Sequence, residues 1–181
     1  MLVPAFTNLV KLIEKNPVFH NNSTCDQVPV WWQTLVTLAN LGTSGKGGDH
    51  FHLARMFNCS EGSIQNWSKR VIESIIDLEP NYLCWPSPTE RQVLKSQIEQ
   101  SSFFRDCVGF VDGTFIPLAS APHKWPEDYW TQKAFYAYNM ILVCDINQRI
   151  IYYELGWCGS AHDQRVFRSS QLFQHPTVFF H

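Results

Sequence analysis

The chain of 181 residues is 45% hydrophobic and 14% aromatic, enough for a packed core, which excludes wholesale disorder. A formal net charge of −2 argues against a protein that coats nucleic acid non-specifically, so any DNA contact has to come from a local basic surface. No apolar run approaches membrane-spanning length, and Met1-Leu2-Val3-Pro4-Ala5-Phe6-Thr7 lacks the basic and apolar regions of a signal peptide.

Along the chain, Phe6, Leu9, Leu12 and Ile13 give helical spacing that ends at Asn16-Pro17. A polar loop, His20 to Gln27, leads to a second helical stretch, Val30 to Leu41, with Trp31, Leu35, Leu38 and Ala39 on one side. Gly42-Thr43-Ser44-Gly45-Lys46-Gly47-Gly48 invites a phosphate-loop reading. It lacks the four-residue gap before Gly-Lys and the Ser or Thr after it, and reads better as a plain loop. Two helices follow between His50 and Leu78, then a helix over Thr89 to Gln100 after Pro86-Ser87-Pro88, with Thr89 placed to cap it. From Cys107 the period changes: Cys107 to Leu118, Phe135 to Ile146 and Arg149 to Leu155 read as strands, with Asp145-Ile146-Asn147-Gln148 turning the second into the third. This predicts a helical domain over 1–85, a connecting helix over 86–106 and an α/β part over 107–181. The six cysteines are scattered, with none closer together than Cys144 and Cys158, so they read as reduced thiols in a nuclear or cytoplasmic protein that is not secreted.

Phe51 to Phe57, then Asn58-Cys59-Ser60, then Glu61 to Ile72 has the layout of a helix-turn-helix, spanning about residues 50–78. Small Ala54 allows close crossing, Leu53, Phe57, Ile64, Trp67 and Val71 supply a shared core, and Ser60 can cap the second helix. That helix would present Ser63, Gln65, Asn66, Lys69 and Arg70 outward, amides and hydroxyls suiting base edges and cations suiting phosphates. The bland alternative is an αα-corner with a solvated polar face. His50 and His52 beside Asp49 suggest a metal only weakly, since loop histidines usually just face solvent.

Both parities of Cys107 to Leu118 are apolar, as in a central strand buried on both faces. Asp112 would then be a carboxylate out of water, to be satisfied by a partner or a divalent cation. Asp-Gly between apolar runs is also the signature of a type I′ hairpin, which would put Asp112 at the surface. The pattern alone leaves both open. Ser160-Ala161-His162-Asp163 has capping-box spacing ahead of a helix over Asp163 to Ser170, so Ser160 and Asp163 are read as structural caps. Trp125, Tyr129 and Trp130 read as packing residues, with Lys124 and Lys133 free to meet phosphates.

Taken together, these residues resemble a Harbinger-type DDE transposase, a transposase-derived endonuclease. The resemblance runs from Asn16-Pro17-Val18-Phe19-His20 to Phe179-Phe180 and is most specific at Val111-Asp112-Gly113-Thr114 and Gly159-Ser160-Ala161-His162-Asp163. It implies an incomplete RNase H-like fold, its first three strands and following helix, preceded by an all-α helix-turn-helix domain. It also implies that the first strand runs straight through Asp112-Gly113, with Asp112 the first catalytic acid, holding Mg²⁺ or Mn²⁺ for metal-dependent cleavage and strand transfer of DNA.

The family's second acid follows a fourth strand and its glutamate sits on a later helix; neither lies in these 181 residues, and Asp163 occupies a different position. The expectation is a truncated transposase without activity of its own. The alternatives are a non-catalytic helix-turn-helix remnant that binds DNA, or a regulator with an unrelated sensor domain. DNA is the expected partner, with a separate Myb-like protein for targeting as in related systems, no membrane, and self-association through the unfinished sheet.

Overall fold

A computed structural model describes residues 2–20, 24, 26–43 and 50–180. Cys25, most of the Gly42–Gly48 loop with its phosphate-loop reading, and Asp49 lie outside the described residues, as does part of the polar loop after His20. Contacts divide the chain into two compact units, Met1–Tyr82 and Leu83–His181.

The first unit is helical: α1 (Val3–Ile13), a 3-10 turn (Pro17–Phe19), α2 (Val30–Gly42), α3 (His50–Phe57), α4 (Glu61–Ile76) and α5 (Glu79–Tyr82). Asn16 stops the chain after α1 and starts the turn, its Oδ1 accepting from the Val18 N–H at 3.0 Å and its amide donating to Asp77 at 2.8 Å. Val36, Leu53, Ala54, Ile64 and Trp67 form one buried cluster; Ile13, Phe19 and Val71 form another. Between α3 and α4 the backbone turns at Asn58, whose φ is 50°, and Ser60 caps α4 by accepting from the Ser63 N–H at 3.0 Å.

One expected face is turned round. In α2 the buried residues are Gln33, Thr34, Val36 and Thr37, while Trp31 and Leu35 are exposed. The polar side chains tolerate burial because they bond to nearby backbone: Thr34 to Val30 O at 2.8 Å, Thr37 to Gln33 O at 2.8 Å, Gln33 to Val28 O at 2.6 Å.

The second unit opens with α6 (Pro88–Ser101), then β1 (Phe110–Pro117), α7 (Pro126–Tyr129), β2 (Ala137–Cys144), β3 (Ile150–Cys158), α8 (Asp163–Ser169), α9 (Gln171–Gln174) and α10 (Pro176–Phe180). Ser87, not Thr89, caps α6: a full capping box with Glu90 forms, and Pro88 takes the first turn, where a missing N–H costs nothing. The three strands form an antiparallel sheet in the order β1-β2-β3. Alternation is clean in β2: Ala137, Asn139, Ile141 and Val143 are buried, and Tyr138, Met140, Leu142 and Cys144 are half-buried.

Helix α8 packs on β2, and Val143, Ile151 and Leu172 make the local core. At the β2–β3 turn the buried Asp145 carboxylate accepts from the N–H groups of Asn147 and Arg149, both at 2.9 Å, and from Arg149 Nε at 2.8 Å. Trp85 donates to Phe179 O at 2.6 Å and meets the rings of Phe179 and Phe180 edge-on. This mixed α/β arrangement is consistent with part of an RNase H-like fold.

Candidate functional site

Strand β1 runs unbroken through the Asp-Gly dipeptide, with Asp112 opposite Leu142 and Gly113 opposite Ile141. The type I′ hairpin is therefore excluded, because cross-strand pairing continues on both sides of Asp112. The expected burial is corrected: among the described residues β1 pairs on one side only, and Asp112 is exposed. An edge strand lacks the second neighbour that would have enclosed it. The Asp112 carboxylate accepts a hydrogen bond from the adjoining Gly113 N–H at 2.9 Å.

Successive residues face opposite sides of a strand, so Asp112 and Gly113 look to different faces. On the Gly113 side lies Asp163: a Cβ built on Gly113 would overlap the Asp163 carboxyl group. The Asp163 Oδ1 accepts from Asn139 Nδ2 at 2.8 Å, and the same amide donates to Ala161 O at 2.7 Å. Asn139 is fully buried and its Oδ1 has no partner. Gly159 is also constrained, since a Cβ there would press on the carbonyls of Ala137 and Tyr129. The loop 159–162 is thus held down on the sheet by glycine at one end and the Asn139–Asp163 bond at the other.

This differs from the capping reading. His162 is the N-cap of α8 and no side chain caps it, while the Ser160 N–H donates to Asp128 O at 3.0 Å. Asp163, the first helical residue, spends its carboxylate on Asn139, a stronger claim than a solvent-accessible helix end. Sequence reasoning missed Asn139; the available signal was an amide at the buried parity of an otherwise apolar strand.

The five residues proposed for DNA contact separate. Gln65, Asn66 and Lys69 are exposed on α4, with Lys69 loosely paired to Glu73 at 3.9 Å. Gln65 meets His50 Nδ1 at 3.3 Å. The Ser63 hydroxyl lies 2.9 Å from that of Ser60, and Arg70 donates to Gln27 Oε1 at 3.0 Å, so these two are partly committed within the unit. Lys124 and Lys133 are both exposed, Lys133 lying 5.8 Å from the Phe115 ring centroid. Trp125 is exposed rather than packed, at φ 46°, whereas Tyr129 meets Tyr138 edge-on and Trp130, itself partly exposed, meets Tyr136 edge-on.

A divalent metal does not fit what is present. Among the described residues no three His, Cys, Asp or Glu side chains converge as a metal site, His50 and His52 included. Asp112 alone offers one carboxylate, and a pair of ions needs a clamp of several. Among the described residues no helix is long and apolar enough to cross a membrane.

Residues 111–181 match the family described as DDE superfamily endonuclease. The match opens one residue before Asp112. The chain is 23% identical over 131 residues to an ALP1-like protein of Arabidopsis thaliana, covering 72% of this chain and 32% of that protein. It is 24% identical over 137 residues to HARBI1 of Xenopus laevis, covering 75% of this chain and 39% of that protein. The chain therefore spans well under half the length of these curated relatives. No solved structure matches it.

Proposed function

We propose that the second unit is part of a Harbinger-type, transposase-derived DDE nuclease and that Asp112 is its first metal-binding acid. The observation that carries this is the strand running straight through Asp112-Gly113 within the 111–181 match. The Asp112 carboxylate is exposed on β1, and Mg²⁺ or Mn²⁺ is the cofactor that the family resemblance implies it would help to hold.

The helical unit serves as a helix-turn-helix in this reading, with Gln65, Asn66 and Lys69 toward DNA. Nuclear residence and a separate Myb-like targeting partner belong to the same reading. A polypeptide of these 181 residues holds one acid of the set and is expected to release no product in a Mg²⁺ or Mn²⁺ nuclease assay. Product that disappears on Asp112→Ala would overturn that expectation.

The reading is tested by sequencing the transcript beyond the codon for His181. A frame continuing into an apolar strand that ends in Asp, then a helix carrying Glu, supports the nuclease; in that longer protein Asp112→Ala should abolish metal-dependent cleavage. A stop there removes the catalytic half. The second reading, a DNA-binding remnant, is favoured by the exposure of Asn66 and Lys69 on α4. It requires duplex binding that weakens with salt and on Asn66→Ala with Lys69→Ala.

A further inference from the structure

On the α8 side of the second unit two open depressions adjoin, sharing His162 and Asp163. One, of about 440 Å³, has Lys133 in its wall; the other, of about 720 Å³, runs beside Arg165 and Arg168. All three cations are exposed, and among the described residues none is paired with a carboxylate. Among the described residues Asp163 is the one acidic group lining either depression, and its carboxylate is engaged by Asn139 and backed by Gly113. Arg165 and Arg168 stand three residues apart, so they share one helix face, roughly 5–6 Å apart at Cβ.

The chemistry of this row selects its ligand. Both depressions are open, and beside apolar surface such as Phe115 and Phe135 they carry the cations Lys133, Arg165 and Arg168, unlike the enclosed, mostly apolar cavity a small molecule occupies. Guanidinium forks match phosphate oxygens in pairs, and Lys133 adds a point charge further along. A repeating anion fits a row of separated cations better than a single phosphate does.

We propose that this groove, through Lys133, Arg165 and Arg168, carries the sugar–phosphate backbone of DNA without reading its sequence. The identity of the polyanion rests on the nuclease reading above. The inference adds a second DNA-binding surface, in the sheet-containing unit, on residues outside the helix-turn-helix. Gly113 faces Asp163 while Asp112 faces the other way, and Asp112 lines neither depression, so the groove is a surface separate from the Asp112 face of β1.

The test is fluorescence anisotropy of a labelled duplex against the whole 181-residue chain across a salt series. Arg165→Ala with Arg168→Ala should weaken binding and reduce the slope of log affinity against log salt by about 2, at roughly 0.9 for each phosphate left unneutralised. Arg165→Lys with Arg168→Lys keeps the charge and should keep most of the slope. Arg105→Ala, an exposed cation outside both depressions, should change little. A double-alanine variant with wild-type affinity and slope, in a chain that binds DNA through Asn66 and Lys69, overturns the groove and leaves the helix-turn-helix reading standing. A wild-type chain that binds no duplex at low salt overturns both.

Discussion

Asn139 and Gly113 together decide where Asp163 sits: one donates to its carboxylate, the other leaves it room. Gly113→Ala should cost about 1–3 kcal/mol, because the added methyl displaces the carboxylate or the strand. Combined with Asp163→Ala, the same methyl should cost much less, since the obstructing group is gone. Urea unfolding of the four species closes that cycle; additive costs would show that the close approach of Asp163 is not the reason for glycine. None of this required the metal reading of Asp112, whose neighbour is glycine for a reason on the opposite face of the strand. The sequence did show Asp112 as the odd residue in an apolar strand. It could not show its exposure, because burial depends on whether a second strand lies alongside, which no local pattern encodes.

The β2–β3 turn of the second unit is fixed by two side chains, Asp145 and Arg149. Burial works to raise the Asp145 pKa, but the Arg149 and Asn147 hydrogen bonds and the Arg149 charge outweigh it, holding the carboxyl below its ordinary value. A depressed folded pKa means the stability it supplies is complete above the unfolded-chain value of about 3.9 and disappears as pH falls through the folded one. Asp145→Asn should therefore cost about 1–3 kcal/mol at neutral pH, from the loss of charge-assisted hydrogen bonds to part-buried donors. It should also flatten the acid limb of a stability–pH profile measured by chemical denaturation. An unchanged acid limb would place that titration elsewhere.

Strands were legible to within a few residues because turn residues and β-branched runs bound them, as at Asp145–Gln148. Helix faces were less so. The face of α2 was misread since its threonines satisfy their hydroxyls on their own backbone, making polar side chains acceptable where Trp31 and Leu35 were expected. The cap of α6 was displaced by two residues because two neighbouring hydroxyls competed and Pro88 favours the position after the cap.

In a polypeptide of these 181 residues, β1 pairs on one side only among the described residues and carries Phe110, Val111 and Ile116 in exposed positions. Unpaired backbone donors and acceptors beside apolar side chains invite strand-to-strand addition. The expected outcome is concentration-dependent association, seen by light scattering coupled to size-exclusion chromatography and reduced by Val111→Lys. A monomer at all concentrations would mean that the edge is protected. The net charge of −2 conceals where cations lie: Lys133, Arg165 and Arg168 in the second unit are offset in the total by acids that do not pair with them, so total charge was a poor guide to surface chemistry.

The indole of Trp85, held against Phe179 and Phe180, fastens the opening of the second unit to its close. A unit whose ends meet can be rewired. Joining 181 to 83 through a short Gly/Ser linker and cutting within 119–121, where the chain is exposed, should give a circular permutant with unchanged far-ultraviolet circular dichroism. The same rearrangement in Trp85→Ala should fold poorly, because the clasp that makes the order of segments interchangeable would be gone.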